Sequence, residues 1–271
     1  MAGRIKQTLN DFVHKWLRVP YHLHIRRIHR RKKAKATLLF IHGLGSTGAM
    51  WNKAIDALPE TVNIVAVDLL GFGKSPNPYW ETYNAKAQAR SLLATYIKLR
   101  LRGPVIVIGH SLGALVAVEF ARRYPLLVKT LILCSPPVYR PHDGLARFAP
   151  ERILRRLYEQ LSTQPKLVIR LYNLGRVAGI DPSLEVRENN VEMYVSSLRA
   201  SILNQSAIDD IARLSVPIKL IHGRFDPLVI QSNLKKLADT YPSITLSAIN
   251  ASHAVTGIYV TKLISSIKDE L

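Results

Sequence analysis

The sequence predicts an α/β protein with a mostly parallel, doubly wound sheet and a helical segment inserted between two of its strands. Three observations carry this expectation. Short aliphatic runs at 36–41, 62–67, 105–108 and 130–134 alternate with stretches of helical period, the pattern of strands buried on both faces and joined by helical crossovers. Several of these runs end abruptly in His, Asp or Ser beside glycines. The alternation stops between 138 and 214, where only helix-like patterns occur, and resumes at 217.

Length and composition set the bounds. A chain of 271 residues with 48% hydrophobic and 21% charged content can bury a full core as one large domain, or as one domain with an insertion. No apolar stretch is long enough to span a bilayer, and no secretory signal is recognisable at the N-terminus. The lone Cys134 ends an apolar run and reads as a small buried hydrophobe, in keeping with a cytoplasmic setting. The net charge of +19 is unevenly spread: residues 1–35 carry eleven Lys or Arg and one acidic residue, Asp11. Such a patch attracts anionic surfaces. No zinc-finger spacing or aromatic RNA-binding motif accompanies it, so nucleic acid is not the expected partner.

Taken in order, Ile5, Leu9, Phe12, Val13, Trp16 and Leu17 fall on one face of a helix that Pro20 ends. Two readings stand. The helix lies on an acidic membrane surface, through a basic region covering 4–35, or it packs its apolar stripe on the domain. Residues 21–28 alternate imperfectly and suit an edge strand. A strand at 36–41 feeds His42-Gly43-Leu44-Gly45-Ser46; a helix carries Trp51, Ile55 and Leu58; a strand at 62–67 ends in Asp68; residues 84–100 look helical. The strand at 105–108 enters Gly109-His110-Ser111-Leu112-Gly113 and leaves into a helix with Leu112, Val116 and Phe120 four residues apart. Within 138–214, residues 152–161, 166–174 and 191–203 are helix-like, which suggests a lid. A strand at 217–223 is followed by Asp226, a helix with Leu234, Leu237 and Tyr241, a strand at 244–249, then His253 and a final helix. The expected organisation is an arm at 1–35, a sheet core at 36–137 and 215–271, and a helical cap at 138–214.

The Gly-x-Ser-x-Gly pentad is the chemical focus. A sharp strand-to-helix turn presents Ser111 above the sheet edge. Alone the motif is weak, since a chain this long meets one by chance in about one case in ten. Its context strengthens it, because ligands in parallel sheets sit beyond the carboxyl ends of the strands, where His42, Asp68, Asp226 and His253 also fall. A serine hydroxyl needs a base, and the base needs an acid to fix its tautomer. His253 and Asp226 follow the last two strands and are the expected base and acid. His42 better suits a turn beside the serine, His110 should point away from it, and His222 reads as a core or supporting residue. Asp68 is the acid by position only; the Gly71, Gly73 and Ser75 that follow mark a turn.

These motifs, in this order over residues 36–271, resemble α/β-hydrolase fold enzymes of the lidded serine esterase, lipase and C–C hydrolase type. The resemblance implies catalytic Ser111, Asp226 and His253, an oxyanion hole from the backbone N–H groups of Leu44 and Leu112, and no metal or organic cofactor. It implies a small apolar ester substrate, with a C–C hydrolase of ring-cleavage products, a membrane-surface lipase and a non-catalytic binding protein as rivals. Ala114 and Ser252 depart from the family pattern, where glycines are common. The expected location is cytoplasmic, including peripheral attachment to a membrane.

Overall fold

Leu38 and Phe40 belong to one hydrophobic core, and Leu39 and Ile41 to another. The same split separates Ile64 and Ala66 from Val65 and Val67, Ile106 and Ile108 from Val105 and Val107, and Ile132 and Cys134 from Leu131 and Leu133. Successive side chains of a strand point to opposite faces, so these uninterrupted apolar runs each feed two cores. The computed structural model describes residues 10–101, 103–140, 149–177 and 184–271.

The strands are β1 (His24–His29), β2 (Thr37–Ile41), β3 (Asn63–Asp68), β4 (Val105–His110), β5 (Val128–Cys134), β6 (Ile218–Gly223) and β7 (Ile244–Ile249). They form one seven-stranded sheet in the order β1-β3-β2-β4-β5-β6-β7. Only β1 runs antiparallel to its neighbour; every other pairing is parallel. The crossovers are α1 (Asn52–Asp56), α2 (Ala85–Lys98) and α3 (Leu112–Arg123). Between β5 and β6 come α4 (Pro150–Thr163), α5 (Pro165–Val177), α6 (Val191–Ser197), a π-helical continuation (Leu198–Leu203) and α7 (Ala207–Ala212); α8 (Gln231–Thr240) precedes β7 and α9 (Ile258–Lys268) follows it. α1 and α9 cover one face of the sheet, while α2, α3 and α8 cover the other. No strand interrupts the helices of 138–214 among the described residues, as the lost alternation predicts. Residues 141–148 and 178–183 of that segment lie outside the described residues. Cys134 is fully buried, and burial pushes its thiol up to about 12. Among the described residues no helix is long and apolar enough to cross a membrane.

The basic arm is partly built into the sheet. β1 lies within it, and three of its arginines are paired: Arg26 with Asp68 at 2.6 Å, Arg27 with Asp56 at 2.8 Å and Arg31 with Glu60 at 3.5 Å. Of the predicted N-terminal helix, Ile5 and Leu9 lie outside the described residues. The described part is a π-helical turn, Phe12–Trp16, closed by Leu17 N–H donating to the Phe12 carbonyl at 3.0 Å. Phe12, Trp16 and Leu17 do not pack on the domain; all three are exposed.

Candidate active site

β4 passes into α3 through a single strained residue. Ser111 sits at φ 51°, ψ −119°, a conformation that costs a residue with a Cβ about 1 to 3 kcal/mol. The turn is this tight because α3 starts against the end of β2. A Cβ built on Gly113 would lie 2.4 Å from the Ile41 carbonyl oxygen and 2.5 Å from that of His42, so only glycine fits. The Ser111 N–H donates to the Cys134 carbonyl at 2.9 Å, tying the elbow to the neighbouring strand.

Strand order decides what surrounds the serine. β2 lies beside β4, with Ile41 opposite Gly109, so the Gly43-Leu44 backbone runs past Ser111; a Cβ on Gly43 would lie 3.2 Å from the serine Cβ. Among the described residues no acceptor takes the N–H of Leu44 or of Leu112. Both are available to an oxygen, the second at the N-terminus of α3, where the helix dipole favours negative charge.

On the other side, β6 and β7 bring the acid and the histidine together. A Cβ on Gly223 would lie 2.1 Å from the Ala251 carbonyl oxygen, and that approach closes the two loops on each other. His253 Nδ1 and Asp226 Oδ2 are 2.7 Å apart. With the carboxylate ionised, Nδ1 carries the proton and Nε2 keeps its lone pair. Asp226 is buried, and burial pushes its carboxyl up. The hydrogen bond and charge of His253, the Ser135 hydroxyl and the Leu228 N–H outweigh burial and hold it below the usual carboxylate range. The Leu228 N–H reaches Oδ1 at 3.0 Å. Ser135, which the sequence marked only as the stop of a strand, therefore supports the acid. Its own hydroxyl lies 3.1 Å from Tyr259, which donates to the Ile221 carbonyl at 2.7 Å.

Ser111, His253 and Leu44 open onto one cavity of about 270 Å³. Its far wall comes from the helices between β5 and β6: Tyr158, Tyr172, Tyr194 and Ile202. Burial pushes the Tyr158 and Tyr194 phenols up, the second to about 12, so both are neutral at physiological pH. No Lys, Arg, Asp or Glu lines the cavity among the described residues. The Tyr158 hydroxyl is 3.3 Å from that of Tyr139, which donates to the Leu228 carbonyl at 2.7 Å. The helical wall is thus linked to the loop that holds Asp226. Sequence periodicity gave no sign of these tyrosines.

The other strand-end residues have different work. His42 is fully buried; its Nδ1–H donates to the Gly43 carbonyl at 2.7 Å and its Nε2 accepts from the Leu69 N–H at 2.8 Å. Burial lowers it to about 4, so it is a neutral brace for the loop beside the serine. Asp68 accepts from Arg26, Gly48 N–H and Lys74 N–H and does not reach the cavity. His222 is buried against its neighbour's carbonyl, as expected of a core histidine. His110 braces the elbow. It is buried, with its ring edge-on to Trp51 and its Nε2 2.9 Å from the His253 carbonyl oxygen, and it is among the residues around the cavity. Among the described residues no group of three or more His, Cys, Asp or Glu is placed to hold a metal.

The family model described as the alpha/beta hydrolase family matches residues 38–257. The chain belongs to the alpha/beta hydrolase family. This hydrolase-family chain is 28% identical over 229 residues to a pimeloyl-[acyl-carrier protein] methyl ester esterase of Aeromonas hydrophila, covering 80% of the chain and 88% of that relative. It is also 28% identical over 158 residues to the probable lysophospholipase BODYGUARD 2 of Arabidopsis thaliana. That match covers 55% of the chain but only 33% of the plant protein. Among solved structures, an esterase from Exiguobacterium antarcticum superposes with a TM-score of 0.71 at 17% identity, covering 93% of this chain and 98% of that one. That likeness shows the shared fold.

Proposed function

We propose that this alpha/beta hydrolase is a serine carboxylic ester hydrolase that works through an acyl-enzyme. The observation that carries the reading is the His253–Asp226 pair at 2.7 Å, with His253 and the strained Ser111 facing one cavity. Ser111 Oγ attacks the ester carbonyl carbon while His253 Nε2 takes its proton. Asp226 holds the imidazole in the required tautomer and stabilises the imidazolium that forms. The developing oxyanion accepts from the N–H groups of Leu44 and Leu112, each worth about 3 to 4 kcal/mol of barrier lowering. His253 then protonates the departing alcohol, and a water that it activates attacks the acyl carbonyl to free Ser111. These steps use only side chains and backbone of this chain.

The uncharged wall argues for the class of acid. Among the described residues, a carboxylate buried there would face aromatic and aliphatic groups without a Lys or Arg, at a cost of several kcal/mol. An ester of a small or medium uncharged acid fits, and a dienoate ring-cleavage product fits less well. The helical segment 138–214 acts as the cap that shapes the acyl site. Turnover of p-nitrophenyl esters by wild-type and Ser111→Ala protein tests the reading. It predicts loss of turnover with the fold retained, and unchanged turnover in the variant overturns it.

A further inference from the structure

The N-terminal turn is attached with its polar side inward. Asn10 Nδ2 donates to the Tyr21 hydroxyl at 3.0 Å, and the His14 ring stacks on Tyr21 with centroids 3.7 Å apart. These residues, four apart, hold the turn to the body. The large apolar residues point the other way: Phe12 is 53%, Trp16 74% and Leu17 59% exposed. Exposed apolar residues grouped side by side, unlike scattered ones, mark a surface that another surface receives. Tyr79, 75% exposed, extends the patch, with the Lys15 ammonium 5.3 Å from its ring centroid.

We propose that this surface docks onto an anionic lipid bilayer, with Phe12, Trp16 and Leu17 entering the interface and Lys15 and Arg18 meeting acidic headgroups. Charge selects this occupant. Neither Lys15 nor Arg18 forms an ion pair among the described residues. The groove beside the turn adds Lys86 and Arg90 against one carboxylate, Glu81. Aromatic and aliphatic tips flanked by basic residues are the composition of interfacial segments. A second copy of a chain with net charge +19 is repelled from the same patch. The surface also adjoins the helices that wall the cavity. Lys15 reaches the Tyr79 hydroxyl at 3.4 Å, and the same loop is held by Ser196 Oγ donating to the Thr82 carbonyl at 3.1 Å. The inference does not depend on the reaction proposed above, because binding is measured without turnover.

The test is co-sedimentation of the full chain with phosphatidylcholine vesicles, with and without phosphatidylglycerol, at low and high salt. The proposal predicts binding that needs the anionic lipid, weakens with salt, and falls about tenfold or more in a Phe12→Ser/Trp16→Ser/Leu17→Ser variant. The thermal midpoint and the far-ultraviolet circular dichroism spectrum serve as fold controls for that variant. Should the variant fail to fold, brominated acyl chains replace it: they should quench the wild-type tryptophan fluorescence and lose that effect in Trp16→Phe. Absence of wild-type binding, equal binding to uncharged vesicles, or equal binding by the folded triple variant overturns the proposal. So does light scattering that shows a wild-type dimer which the triple variant loses, since a second copy would then cover the patch.

Discussion

Replacing Ser111 by glycine should leave a more stable protein than replacing it by alanine. Both changes remove Oγ, so both abolish the proposed reaction, and they differ only in the Cβ. At φ 51°, ψ −119° that Cβ costs about 1 to 3 kcal/mol. Glycine gives back about 0.4 to 1 kcal/mol through the freer unfolded chain, which leaves a net gain of about 1 kcal/mol. The chain contains its own control, because Gly257 opens α9 at φ 51°, ψ −121°. Where the same backbone conformation carries no chemistry, the residue is glycine. Urea titrations of the two variants should show a higher midpoint for Ser111→Gly at equal slope, and thermal melts a gain of about 2 °C or more. Equal stability, or a more stable Ser111→Ala, would refute the claim that the elbow stores strain.

Two further outcomes follow from the geometry around the serine. His42 is lowered from 6.5 to about 4 by burial, so between those pH values the unfolded chain binds a proton that the folded one does not. Stability is therefore fully present above pH 6.5 and falls as pH drops toward 4, by about 3 kcal/mol from this group alone. Denaturant titrations across that range check it, and a His42→Gln variant should show a flatter acid limb. Gly223→Ala places a Cβ 2.1 Å from the Ala251 carbonyl. The loops carrying Asp226 and His253 must then part, so ester turnover should fall by about a hundredfold or more while the far end of the sheet persists by circular dichroism.

The sheet was legible in the sequence because its central strands are buried on both faces and appear as unbroken aliphatic runs. The ends of those runs located Ser111, Asp226 and His253, since a parallel sheet gathers its strand ends on one edge. Other features needed three dimensions. Ser135 supports Asp226 only because β5 lies beside β6, a neighbour relation that local pattern does not encode. Tyr158, Tyr172 and Tyr194 look like ordinary helix residues until separate helices bring them to one wall. The N-terminal periodicity could not say whether Phe12, Trp16 and Leu17 turn inward. Asn10 and His14 decided that by bonding to Tyr21. The contact of His110 was hidden for a similar reason, because the backbone that it meets belongs to a loop 143 residues away.

The proposed reaction requires Ser111 to be an activated nucleophile. Labelling with a fluorophosphonate, followed by mass mapping of the modified peptide, tests it without knowledge of the substrate. One modified residue is expected, Ser111, labelled at a rate that falls sharply in His253→Ala protein. No label on the folded protein, or a label on another serine such as Ser46 or Ser252, would contradict it.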